Sequence, residues 1–184
     1  MKKHLICIAI CILNGSFSQA SIYRFAAEKG QVTFTAKGRP ALISIRGEGA
    51  GVEGMLTENK EIISGEVSFQ LKSLHTGIEL RDEHMKNKFL EIEKYPIAIF
   101  KINDMKIPEQ ANKPFKFTGT MTLHGVQQPI EGEASLRTAE STNRLTAEFK
   151  IQLTKFQIII PSFQGITVAE NVQVNVDLPL VKAE

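Results

Sequence analysis

The stretch FKFTGTMTLHGVQQPIEGEASLR, Phe115 to Arg137, decides the fold. Phe115, Phe117, Gly119, Met121 and Leu123 alternate with Lys116, Thr118, Thr120 and Thr122, so successive side chains point to opposite faces of an extended chain. After Leu123-His124-Gly125-Val126 the alternation resumes, with Ile130, Gly132, Ala134 and Leu136 on one face. Two such runs about a short turn read as an antiparallel hairpin with one face on a core and one in water.

The same period of two extends in both directions. Upstream it gives Val67, Phe69 and Leu71, then Ala98, Phe100 and Ile102. Downstream it gives Leu145, Ala147, Phe149, Ile151 and Leu153, then Val172, Val174, Val176, Leu178 and Leu180. Turn-forming clusters separate the runs at Lys37-Gly38-Arg39-Pro40, Glu58-Asn59-Lys60 and Ser141-Thr142-Asn143. Eight or nine strands of this length form a sheet that must close on itself to hide its edges. The fold expected is all-β, an antiparallel β-barrel of about eight strands.

One segment breaks the period. From about Glu79 to Ile92, Leu80, Met85, Phe89 and Ile92 recur at helical spacing, with Glu83, Lys86 and Glu93 expected on the water side. Thr76-Gly77 ends the preceding strand, and Tyr95-Pro96 is expected to stop the helix. A short helical segment with one apolar face, placed between two barrel strands, caps one end of the barrel.

The N-terminus is of a different kind. Lys2 and Lys3 precede the apolar run Leu5 to Leu13, and Ser18-Gln19-Ala20 is a small-residue exit. This is the three-part pattern of a secretory signal peptide, too short in its apolar part to span a bilayer. Residues 1–20 are therefore expected to be removed, with the cut after Ala20 and residues 21–184 forming a single domain. Cys7 and Cys11 both leave with the leader, so the mature chain is expected to have no disulfide, thiolate nucleophile or cysteine-bound metal. Neither cysteine follows the pattern at which bacterial lipoproteins are acylated. The full chain carries 22 basic and 20 acidic residues, and loss of Lys2 and Lys3 brings the mature part to neutrality. Such a balance offers no electrostatic footprint for nucleic acid or anionic membrane. No stable membrane insertion is expected after the leader is removed.

Few residues suggest chemistry. His75 and His84 lie nine apart across a strand-to-helix junction, with Asp82 or Glu83 as a third potential metal ligand. No pair of histidines falls at the spacing that places two imidazoles on one helical face. The plainer reading is that Asp82 favours the helix start and Arg81 pairs with a nearby acid. His124 falls in a hairpin turn, where a surface role is expected. Ser162 lacks a nucleophile-elbow sequence. Gly47-Glu48-Gly49-Ala50-Gly51 has no helix after it, and reads as a bend or bulge rather than a phosphate loop. No catalytic residue, cofactor or metal site is assigned, and the protein is read as not an enzyme.

The interior is what remains. A small barrel either fills its inside with side chains or leaves room for a ligand. The inward face mixes large apolar residues with Gly119, Gly132, Ala98, Ala134 and Ala147. These small residues either interdigitate with large ones or hollow out an apolar tunnel, and the pattern alone leaves both open.

Two motifs carry a resemblance. Ser73-Leu74-His75-Thr76-Gly77, Arg81-Asp82-Glu83-His84-Met85, Phe89-Leu90 and Tyr95-Pro96-Ile97-Ala98-Ile99-Phe100 form the first. Phe117-Thr118-Gly119-Thr120-Met121-Thr122-Leu123-His124-Gly125-Val126, followed by Pro129, forms the second. Together they resemble the signature of the YceI-like family, and a weaker likeness covers essentially the whole mature chain. The resemblance implies a lipocalin-like barrel whose apolar tunnel holds a polyisoprenoid, an isoprenoid quinone or a fatty acid, in an exported protein. Arg81, Asp82 and His84 would then be structural, near the barrel's end. The N-terminal part departs from the family: Ala36-Lys37-Gly38-Arg39-Pro40 and Ile45-Arg46-Gly47-Glu48-Gly49 lack the usual histidine and Gly-x-Phe element. The first hairpin should be shaped differently, and Arg39 and Arg46 are expected in water rather than on a ligand's head group.

The expectation is therefore a periplasmic or secreted protein that carries, stores or senses a long-chain lipid without catalysis. Phe69, Leu71, Met85, Phe89, Phe100, Phe117, Met121, Phe149 and Leu153 are expected to line its tunnel. The second reading is a structural or interaction barrel with a filled core and no ligand. The third is a metal-dependent enzyme around His75, Asp82 and His84. Zero net charge permits a homodimer without requiring one.

Overall fold

The structure, a computed structural model, describes residues 21–25, 30–39, 43–59, 62–106, 113–137, 143–163 and 165–182. The expected leader with its cysteines lies outside them, as do Pro40, Lys60 and Ser141-Thr142 of the expected turns.

The described residues form eleven strands: β1 (Ser21–Phe25), β2 (Gln31–Arg39), β3 (Ser44–Ala50), β4 (Val52–Asn59), β5 (Ile62–Gln70), β6 (Ile97–Lys106), β7 (Phe115–Leu123), β8 (Val126–Arg137), β9 (Asn143–Gln152), the two-residue β10 (Ser162–Phe163) and the long β11 (Ile166–Lys182). All belong to one sheet whose described pairings are antiparallel. β1 pairs with β4 and β2 with β3, so these four are the two arms of one long hairpin, each interrupted once. The interruption in the second arm is Gly51, at φ +96°, a conformation glycine adopts without steric cost. The expected bend at the glycine run thus shrinks to this residue, because Gly47 and Gly49 lie in register within β3.

Counted by arms, the barrel has eight staves, in the order β1/β2, β3/β4, β5, β6, β7, β8, β9 and β11. It closes because β11 pairs along its length with both β2 and β1. The expected count of about eight is met, and the extra segments come from breaks within staves. A register shift in β11 between Val168 and Val172 bends the stave where it leaves β2. β6 and β7 pair over only Ile99–Lys101 and Thr120–Thr122, the shortest seam in the ring.

The predicted alternation is seen in the burial of β7: Phe117, Met121 and Leu123 are buried while Lys116 and Thr118 are exposed. One continuous cluster, including Val52, Leu56, Ile102, Leu145 and Phe156, forms the core. On the outside, Arg144 of β9 donates twice to the Asp177 carboxylate of β11, at 3.0 and 2.7 Å. An exposed pair of this kind adds little stability but favours one strand register over another.

Candidate ligand-binding chamber

Inside the barrel lies an apolar chamber of about 550 Å3. That is within the usual range of small-molecule sites, roughly 300–1,000 Å3. Its wall follows the register of the staves. Phe117 stands across from Gly132, Gly132 from Phe149, Phe149 from Val174, and Val174 from Phe34. Phe100, Phe117 and Phe149 form a cluster with ring centroids 5.7 to 6.3 Å apart, two of the pairs edge-on.

The glycines seat these rings. A Cβ on Gly119 would stand 2.4 Å from Cζ of Phe100, and one on Gly132 would stand 2.8 Å from the Phe117 ring. Both features left open by the sequence therefore coexist: glycines interdigitate with aromatic rings, and a chamber persists beyond them. Ala98, Ala134 and Ala147 border that space.

One end is covered by the segment between β5 and β6. After a 3-10 turn, Leu71–Ser73, the chain forms α1 (Glu79–Glu83), which runs directly into a π-helical turn, His84–Phe89. The wider turn closes with the Leu90 N–H on the Met85 carbonyl, 2.9 Å, and Met85, Phe89 and Leu90 all border the chamber. A π turn inside a helix is a local cost commonly found at functional sites. Two expectations are corrected here. The helix ends at Phe89, and Glu91, at φ +45°, turns the chain well before Tyr95-Pro96. Lys86 is half-buried rather than facing water, and Leu80 is 54% exposed at the rim.

The charged residues of α1 also act differently from expectation. The residue preceding α1 is Ile78, whose side chain makes no cap. Asp82 instead accepts from the backbone N–H (2.7 Å) and the hydroxyl of Thr76. Arg81 donates from Nε to the Thr76 hydroxyl at 2.7 Å and from Nη2 to the Thr76 carbonyl at 2.9 Å. Arg81 and Asp82 thus clamp one loop residue and so fix the tilt of the helix over the barrel.

The far end of this lid is held by His124, which is not the surface residue expected of a hairpin turn. Its side chain is only 10% exposed. Nε2 lies 2.8 Å from Oε2 of Glu91, and Nδ1 lies 3.1 Å from the carbonyl oxygen of Phe156. Lys94 donates to the other Glu91 oxygen at 2.6 Å. The Glu91 carboxyl is held below its ordinary range, first by the Lys94 hydrogen bond and then by that of His124. The Tyr95 ring packs 4.7 Å from the imidazole and lies against Gly125, where a Cβ would meet it at 2.7 Å. The two sequence motifs are therefore halves of one joint.

All nine residues expected to line a tunnel, Phe69, Leu71, Met85, Phe89, Phe100, Phe117, Met121, Phe149 and Leu153, border the chamber. Leu71 and Leu153 do so from 3-10 turns rather than strands. The potential metal ligands do not converge: Asp82 is engaged by Thr76, and His75 pairs with Glu48 of β3 at 3.8 Å. Among the described residues no three His, Cys, Asp or Glu side chains form a metal-binding group. Arg39 and Arg46 are exposed and do not border the chamber. Sequence reasoning missed the contribution of the first hairpin, where Val32, Phe34, Ala36 and Ile45 form wall. The alternation of Val32, Phe34 and Ala36 is present in QVTFTAKG, Gln31 to Gly38.

Comparison with known proteins agrees with this architecture. Residues 23–180 match the model of the YceI-like domain. A UPF0312 protein of Vibrio campbellii is 28% identical over 149 residues, covering 73% of this chain and 74% of that one. Burkholderia cenocepacia BcnA superposes with a TM-score of 0.70 at 16% identity, covering 85% of this chain and 99% of that one. A polyisoprenoid binding domain from Saccharophagus degradans, implicated in plant cell wall breakdown, superposes with a TM-score of 0.67 at 14% identity, covering 88% and 98%. At such identities the structural likeness speaks for the fold, and the family match extends over nearly all of the barrel: the chain belongs to the YceI-like family.

Proposed function

We propose that this protein binds the hydrocarbon chain of a long amphiphile, such as a polyisoprenoid, an isoprenoid quinone or a fatty acid, as a carrier, store or sensor and without catalysis. The observation that carries this reading is the apolar chamber beneath the lid. Cavity formation costs about 24 cal/mol per Å3, so about 550 Å3 left empty would cost on the order of 10 kcal/mol. That is comparable to the whole net stability of a domain, about 5–15 kcal/mol. The wall offers water almost no hydrogen-bond partner, so water entering the chamber relieves little of the deficit. An apolar guest does, at about 0.8 kcal/mol for each CH2 buried. The nine expected lining residues would supply much of the contact surface. The lipid bound by the Saccharophagus domain is consistent with a guest of this class.

The setting we propose is the periplasm or the exterior of the cell, after removal of residues 1–20, with residues 21–184 as the working domain. No helix among the described residues is long and apolar enough to cross a membrane. The test is native mass spectrometry on protein purified from the periplasm without detergent, followed by organic extraction. A stoichiometric prenyl or acyl adduct is expected, and the same spectrum reads whether the protein is a monomer or a dimer. A clean apo mass together with no uptake of added prenyl or acyl lipids would favour a structural barrel instead.

A further inference from the structure

We propose that the ligand's head group is an oxyanion, a carboxylate or phosphate monoester, received at the chamber's rim by Arg81, His84 and Lys88. This inference rests on the chain-binding reading above. The residues bordering the chamber are almost all apolar, and the exceptions are Thr76, Arg81, His84, Lys88 and Ser162. Arg81 and Lys88 carry positive charge, His84 offers its imidazole, and among the described residues no Asp or Glu borders the space. The acids of the same segment do not reach it: Glu79 and Glu83 are exposed, and Asp82 is bonded to Thr76. Arg81, His84 and Lys88 are spaced by three and four, which brings them to one side of the helical lid.

These groups stand where the chamber meets solvent. Ile78 and Leu80 border it and are still 53% and 54% exposed, so the opening lies beside α1. A chain with its tail among the phenylalanines therefore ends beside Arg81, His84 and Lys88. The arginine is also pre-positioned. Its two bonds to Thr76 use Nε and Nη2 and fix the guanidinium plane, and Nη1 takes no part in them. A guanidinium held in this way loses little freedom when it meets an oxyanion. Lys88 is exposed, and its Nζ lies 5.6 Å from the centre of the Phe89 ring at the chamber wall. Its charge can swing over the opening, while its stem covers apolar surface.

The test uses three ligands with one chain: hexadecanoic acid, hexadecyl phosphate and hexadecanol, titrated into delipidated protein. Wild type should bind the acid and the phosphate about tenfold more tightly than the alcohol, as expected from two half-exposed charge contacts. The difference should shrink with added salt. Lys88→Gln should narrow it and Lys88→Glu should abolish it; Arg81 is left intact because it also braces Thr76. Equal affinity for all three ligands, unmoved by Lys88→Glu, overturns the head-group assignment and leaves chain binding standing. Uptake of none of the three by wild type overturns the chain-binding reading and this inference with it.

Discussion

Replacing Ala147 with phenylalanine separates a hollow barrel from a filled one by the sign of its effect. Ala147 is half-buried in β9, across from Ala134 on one side and Val176 on the other, and it borders the chamber. A benzyl group at this position extends into the chamber and buries apolar surface at no packing cost. Burying a phenylalanine side chain is worth about 1.5–3 kcal/mol. For a domain of this size, at about 2–4 °C per kcal/mol, that raises the apo melting temperature by roughly 3–12 °C. The ring also takes the room of three or four ligand methylenes, each contributing about 0.8 kcal/mol. Affinity for a long chain should therefore fall by about 3 kcal/mol, or roughly a hundredfold. Shorter chains that stop before the ring should be affected less. The assay is thermal unfolding of delipidated protein, paired with titration of a chain-length series. In a filled core the same substitution overpacks and costs about 1–3 kcal/mol. A lowered apo melting temperature, with long-chain affinity unchanged, would refute the reasoning.

Three further outcomes follow from named contacts. Gly119→Ala places a Cβ 2.4 Å from Cζ of Phe100 and 2.5 Å from the Lys101 carbonyl oxygen, so a loss of about 2 kcal/mol is expected; unchanged thermal unfolding would contradict it. Met121→Arg puts a charge on a buried position of the wall and should abolish chain uptake; uptake retained in a correctly folded variant counts against a tunnel on that face. The His124–Glu91 joint should loosen in acid. The folded Glu91 carboxyl sits below its ordinary value of 4.5, so its contribution is complete above that value and is lost as pH falls through the depressed one. Ligand release from wild type should accelerate over that acidic window, and His124→Ala should release ligand several-fold faster at neutral pH while losing the acid acceleration. A mutant that keeps the wild-type profile would place lid control elsewhere.

How much of this was legible depended on whether a feature is local in sequence. The staves were readable because a half-buried strand repeats every two residues, and Phe115 to Leu123 follows that repeat without a fault. The strand residues that border the chamber were readable for the same reason, since inward positions are fixed once the phase is known. The break at Gly51 was not, because a glycine run names several conformations and only tertiary pairing selects the one residue that turns. The π turn at His84–Phe89 was hidden by similar periodicities: Met85 and Phe89 share a face in an α-helix, and the residues alone do not reveal the extra one in the turn.

The joint around His124 was illegible for another reason. Glu91 and His124 are separated by 33 positions, and a histidine in a hairpin turn is ordinarily solvated. Nothing in its neighbours signals that the Tyr95 ring covers it or that Phe156 offers a carbonyl. Glu91, His124 and Gln157 are the non-glycine residues with positive φ among those described. Each ends or turns an element at the lidded end of the barrel, and the first two are bonded to each other. Strained backbone of this kind persists only where surrounding contacts hold it in place. The opposite clamp, Thr76 with Arg81 and Asp82, is made within seven consecutive residues. The lid is thus held at one end by a clamp made within its own sequence and at the other by the long-range joint at His124. The clamp forms from neighbouring residues, whereas the His124 joint exists only once the turn between β7 and β8 has met the lid, which is why only tertiary contact reveals it.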